Sequence, residues 1–183
     1  MNWQRTVLTL IVTFLAVFCQ AAINAPRQWL GAQVNVLPPL VVYCAVNTEV
    51  ATLTLVAVCG GLWSDTLSAN PLGISVLPLF WLGLALHRWR DVLLRELAYA
   101  QCVLGLAASL LVPLGTLLLL VTAGESPLVG WGSLWQLGVM GIGGAALTPL
   151  FFRLLERLVR WFTHPPAVWL SFRSDREIKR GPF

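Results

Sequence analysis

The stretch Asn35-Val-Leu-Pro-Pro-Leu-Val-Val-Tyr-Cys-Ala-Val-Asn47-Thr48-Glu49-Val50-Ala-Thr-Leu-Thr-Leu-Val-Ala-Val-Cys-Gly60-Gly61-Leu-Trp63 decides how this chain folds. It is two apolar runs parted by one carboxylate. An ionised group at mid-bilayer costs roughly 2.5–3.5 kcal/mol on insertion scales. A single long helix would place Glu49 there, so the sequence favours a break at Asn47–Thr48–Glu49 and two segments, near 35–46 and 50–63. Each is short, reaching only about 17–21 Å at ~1.5 Å per residue. They read as thin, tilted spans or as a re-entrant hairpin shielded by neighbouring helices.

The same test extends along the chain. Charge-free runs cover 6–26, 28–48, 50–64, 66–87, 97–124 and 126–152. Their apolar cores predict six helices, near 6–23, 35–46, 50–63, 72–86, 97–121 and 134–160. The fold class expected is all-α, a polytopic membrane bundle of about six short spans over residues 1–162, followed by a basic, aromatic tail over 163–183. Composition agrees: only 11% of residues are charged and 57% are apolar, with a mean hydropathy of +0.77. A soluble domain carries about 25% charge. This excludes a disordered, collagenous or disulfide-scaffold chain and argues against a water-soluble enzyme. A net charge of +4 is too small and too localised for nucleic acid.

The segment ends carry anchors. Of the nine tryptophans, only Trp81 lies well inside a segment; Trp3, Trp29, Trp63, Trp89, Trp131, Trp135, Trp161 and Trp169 lie at or beyond the ends, at headgroup level. With six segments, eleven of the twelve basic residues fall on one side and Arg27 alone on the other. The positive-inside rule then places the carboxy terminus in the cytoplasm. The first segment resembles a signal peptide, with Arg5, an apolar run and small residues at Cys19, Ala21 and Ala22, but its span length predicts retention.

Chemistry-bearing patterns are sparse. Cys19, Cys44, Cys59 and Cys102 lie in apolar segments without CxxC spacing, where cysteine acts as a small hydrophobe. His87 and His164 sit among arginines. No phosphate-binding loop, nucleophile elbow or zinc-protease motif occurs, and no carboxylate pair suggests acid–base work. No catalytic residue, cofactor or metal is therefore expected. A membrane enzyme would have to draw on Asp65, Glu49 and nearby hydroxyls.

Packing motifs are clearer. Gly105 and Ser109, and Gly141 and Ala145, form small-xxx-small pairs that let helices approach closely; Pro113 should kink the fifth helix. Arg153, Arg157 and Arg160, with Glu156, extend the last helix as a basic anchor on anionic membrane lipid. Between the third and fourth segments, Gly60, Gly61, Asp65, Ser68, Asn70, Pro71 and Gly73 read as a capped turn. Asp65, Ser68 and Asn70 satisfy backbone donors there, and Pro71 opens the next helix. The same turn could serve as a docking edge for a partner.

The Pro38–Pro39–Leu40–Val41–Val42–Tyr43 run and the Gly60–Gly61–Leu62, Asp65–Thr66–Leu67–Ser68 and Pro71–Leu72–Gly73 pattern resemble the bacterial rod-shape-determining protein MreD family. The specific part covers residues 36–80; the remainder matches in hydropathy alone. The resemblance implies a non-enzymatic, multi-pass protein of the bacterial inner membrane that scaffolds the cell-elongation complex. Its implied partners are an MreC-like single-span protein and, through it, MreB, RodA and a class B penicillin-binding protein. It also implies a fold like the substrate-binding component of energy-coupling-factor transporters. Gly60, Gly61, Asp65, Pro71 and Gly73 carry over as structural or partner-contact residues. The arginine-rich tail after Pro166 departs from shorter members. A substrate-binding component of a vitamin transporter is the competing expectation, though the Ala-xxx-Ala groove such proteins carry on the first helix is poorly matched: Ala16 is followed by Gln20, and Ala21 by Ala25 only at the segment's edge.

Overall fold

The computed structural model describes residues 3–22, 31–68, 71–90, 98–124 and 130–163. Every regular element among them is helical: α1 (Trp3–Ala22), α2 (Leu37–Asn47), α3 (Val50–Leu67), α4 (Val76–Arg88), α5 (Ala98–Thr122) and α6 (Trp131–Thr163). The tail after Thr163, Asn70, and the loop holding Asp91, Arg95 and Glu96 lie outside the described residues.

The break at Glu49 is where the charge penalty puts it. Thr48 and Glu49 are extended, and Thr48 closes α2 through its backbone N–H and its hydroxyl, both donated to the Cys44 carbonyl (2.9 and 2.7 Å). Glu49 is exposed at the start of α3. The two helices fold back on one another as a hairpin.

Helix α2 is the hub. It contacts all five other helices, and every residue from Leu37 to Val46 is buried. Its apolar side chains point in all directions, as a helix enclosed by protein requires. Gln20 at the end of α1 accepts the Val36 N–H (2.8 Å), and Asn35 accepts that of Leu37 (3.1 Å), so the start of α2 is held from two sides. At its other end the Ala45 carbonyl meets His87 Nδ1 at 2.9 Å, and Tyr43 stands edge-on to Phe152 of α6, centroids 5.2 Å apart.

Polarity runs inside out. The buried face of α1 is Thr6, Thr9, Thr13 and Val17, while Val7, Ile11, Phe14, Leu15 and Phe18 are exposed. Thr6 and Thr52 share a hydrogen bond of 2.8 Å between α1 and α3; Thr9 and Thr13 donate back to Arg5 and Thr9 carbonyls. Trp81 is 66% exposed at mid-helix and Ile142 71%. Such a surface is at home only in lipid. Four helices are long and apolar enough to cross a membrane, α2 and α4 being shorter. The chain is a multi-pass membrane helix bundle.

The most extensive interface joins α5 and α6. A Cβ on Gly105 would overlap Thr148 Oγ1 and lie 2.7 Å from the Gly144 carbonyl oxygen, and one on Gly144 would overlap Ser109 Oγ. Gly141 faces Leu110 across the same crossing, 3.1 Å from where its Cβ would be. Gly105, Ser109 and Gly141 thus pack within the bundle. Ala145 is half-buried, and Gly144 and Thr148 also lie at the crossing. Helix α5 runs on through Pro113, and α6 through Pro149.

Replacing Gly105 with Val should force α5 and α6 apart. Overpacking of this kind costs about 1–3 kcal/mol, and the measure is a lowered thermal unfolding midpoint in detergent, with Ala145→Val much milder.

Candidate functional site

Of the residues that carry the family resemblance, Gly61, Asp65, Pro71 and Gly73 lie at the joint between α3 and α4, while Gly60 faces α1 and α2. Helix α3 does not stop at the glycine pair but continues to Leu67, because the pair serves packing on two sides. A Cβ on Gly60 would sit 2.8 Å from Leu37 and 3.1 Å from Thr13. One on Gly61 would sit 2.8 Å from the Val76 side chain and 3.0 Å from its Cα. The missing side chains let α3 touch α1 and α2 with one residue and the backbone of α4 with the next.

Asp65 ties the joint. It is 1% exposed, and its Oδ2 accepts the N–H groups of Gly73 (2.9 Å) and Ser75 (3.2 Å). Hydrogen bonds to a charged group are worth about 1.5–3 kcal/mol each. Ser68 donates its hydroxyl to the Asp65 carbonyl (3.3 Å). Gly73 has φ +89°, a left-handed conformation that glycine adopts without steric cost. This arrangement moves the start of α4 to Val76, four residues later than the apolar pattern predicts. Pro71 therefore does not open the helix; it precedes a tight turn, with its carbonyl accepting the Ile74 N–H at 3.4 Å.

Two further spaces escape a reading based on motifs. One is a groove of about 650 Å³ between α1 and α6, lined chiefly by Val12, Leu15, Ala16, Gly143, Leu147 and Leu154. The other is a cavity of about 610 Å³ at the joint's end of the bundle, where Gln20, Gln33, Asn35, Ser64, Ser75 and Gln136 converge. Gln20 and Gln33 line both, so the two spaces adjoin at these side chains. The signal available in sequence was the presence of carboxamides in otherwise apolar runs.

The opposite end is basic. Arg5, Thr48, Glu49 and Arg90 surround a smaller space of about 260 Å³. Arg153, Arg157 and Arg160 are exposed on α6, and Arg160 pairs with Glu156 at 3.2 Å, a surface pair worth at most about 0.5 kcal/mol. None of these arginines approaches the Asp65 joint. Among the described residues, no group of three His, Cys, Asp or Glu side chains could hold a metal ion. Cys44 is buried, Cys59 and Cys102 are half-buried, Cys19 is exposed, and all four are free thiols.

No family model, curated protein or solved structure matches the chain.

Asp65→Ala would leave two backbone donors at the joint without their acceptor, at a cost of about 1–3 kcal/mol for each buried group. Hydrogen exchange at Gly73 and Ser75 should accelerate markedly, whereas Asp65→Asn, which keeps an acceptor oxygen, should change it less.

Proposed function

We propose that this protein is a non-enzymatic scaffold of the bacterial cell-elongation complex, similar to MreD, that holds partners within the inner membrane. The observation that carries the proposal is the joint. Of the residues that the resemblance singles out, Asp65 accepts the Gly73 N–H, Gly61 packs on Val76 beside them and Pro71 opens the turn, while Gly60 packs on Leu37 and Thr13. Around it, the Pro38–Tyr43 run of the same resemblance forms the hub helix. In this reading the basic end of the bundle faces the cytoplasm and the Asp65 joint faces outward, where an MreC-like partner with a large outer domain would meet it. MreB, RodA and a class B penicillin-binding protein would associate through that partner. The role is positional: a bundle braced from within presents fixed faces to other membrane proteins, and Arg153, Arg157 and Arg160 fix its depth and orientation against anionic lipid.

A second reading, the substrate-binding component of a vitamin transporter, draws support from the polar cavity at the joint's end. Polar groups gathered inside a membrane bundle commonly mark a ligand path.

Depletion of the protein in its native host separates the two. The scaffold reading expects rod-shaped cells to round up and an MreC-like protein to lose its pattern of localisation, with Gly61→Leu failing to restore either. Cells that keep their shape, together with a vitamin that co-purifies tightly with the protein, would establish the transporter reading instead.

A further inference from the structure

We propose that the space bounded by the start of α1, the α2–α3 turn and the residues just after α4 binds a phosphate group, with the guanidiniums of Arg5 and Arg90 as its counter-charges. The inference does not rest on the scaffold reading, and the pocket lies at the opposite end of the bundle from the Asp65 joint.

Three observations lead to it. The first is Arg5. The space, about 260 Å³, is lined chiefly by Arg5, Thr6, Asn47, Glu49, Thr52 and Arg90. Arg5 is half-buried. Its Nε–H is shut away from solvent and has no acceptor among the described residues. An arginine at the end of a membrane helix ordinarily extends its charged head to water. A donor of a charged group that is buried instead calls for an acceptor, and leaving it unmet is costly. Glu49 lines the same space but does not meet this donor.

The second is the chemistry of the wall. Two guanidiniums line it, and a guanidinium presents a planar fork of N–H donors that matches the oxygens of phosphate. Asn47 is exposed, and its carboxamide adds a donor. Thr6 and Thr52 share a hydrogen bond of 2.8 Å between α1 and α3, which closes the floor. Helix α3 begins at this wall, and its N-cap, Glu49, makes no side-chain capping bond. The N–H groups of that first turn have no partners within the helix and favour an anion.

The third is depth. Trp3 and Trp89, each 65% exposed, stand two residues before Arg5 and one before Arg90. Exposed indoles settle at the headgroup level, which is also the level of lipid phosphates. The pocket therefore opens where phosphate is the abundant anion. A soluble phosphate arriving from the aqueous side offers the same chemistry.

The test uses the full chain, stripped of phospholipid and held in dodecyl maltoside, a detergent without phosphate. Dioctanoyl phosphatidylglycerol, inorganic phosphate and dioctanoylglycerol are titrated separately, with binding read by native mass spectrometry. The expected result is one equivalent of a phosphate-bearing ligand and no dioctanoylglycerol. Binding of the phospholipid alone assigns the site to a lipid head; binding of inorganic phosphate assigns it to a soluble source. Arg5→Gln should weaken the binding about tenfold. Glu49→Gln, which takes a negative charge off the wall, should tighten it. Arg160→Gln, on the exposed surface of α6, should leave it unchanged. Equal weakening by the Arg5 and Arg160 variants, weakening by Glu49→Gln, binding of dioctanoylglycerol, or binding of neither phosphate ligand would overturn the proposal. Should Arg5→Gln fail to fold, arginine modification by phenylglyoxal on the unaltered protein decides. The phosphate ligand should then shield Arg5 and leave Arg160 reactive, and modification of Arg5 at an unchanged rate would reject the site.

Discussion

Lipid gives an apolar side chain no incentive to leave it, so this bundle is held by how closely its backbones approach. Everything else rests on that constraint. Gly60 and Gly61 admit Leu37, Thr13 and the backbone of Val76; Gly83 admits Leu53 and Val41; Gly105 and Gly144 admit each other's helices. The first three of these sites surround α2 and its hairpin partner, and they allow an eleven-residue helix to be enclosed on every side. A helix of that length could not satisfy a bilayer by itself. Enclosed in protein, it needs no match to bilayer thickness.

The polar contacts fit the same constraint. In water the Thr6, Thr9 and Thr13 stripe would be a solvent face; here it is the packed one. Small hydroxyls bond locally to carbonyls or across to Thr52, so they bury without unmet demand and keep α1 near α3. At the Asp65 joint a carboxylate replaces helical hydrogen bonds that the turn gives up. Stiffness is therefore concentrated at the hub and the joint. The α1–α6 side, where contact is thinner, is left open.

Much of the architecture was legible in the sequence, because the cost of charge in hydrocarbon is local and large. It located six helices and placed the break at Thr48–Glu49. It could not rank the helices by burial: lipid and protein interior are both apolar, so the hub and the lipid-facing α5 look alike. The start of α4 was misplaced because Asp65 reaches eight and ten residues ahead, a tertiary bond that hydropathy does not register. Gly144 and Thr148, which also make the crossing, were not singled out, since the unbroken run of small and apolar positions from Leu137 to Leu147 leaves the helical phase open. Of the candidate site, the turn residues were visible as a pattern. The polar cavity was not, because Gln20, Gln33 and Gln136 converge only once α1, the chain before α2, and α6 are assembled.

Helix α6 has 33 residues, or about 50 Å of rod at ~1.5 Å per residue, against a hydrocarbon slab of about 30 Å. Its middle is clamped to α5 and its basic end is free of that clamp. Some of the surplus is absorbed by tilt, and the remainder stands proud of the bilayer as a stiff post. The last turn of the helix, up to Thr163, tops that post, its height and heading inherited from a glycine crossing deep in the membrane.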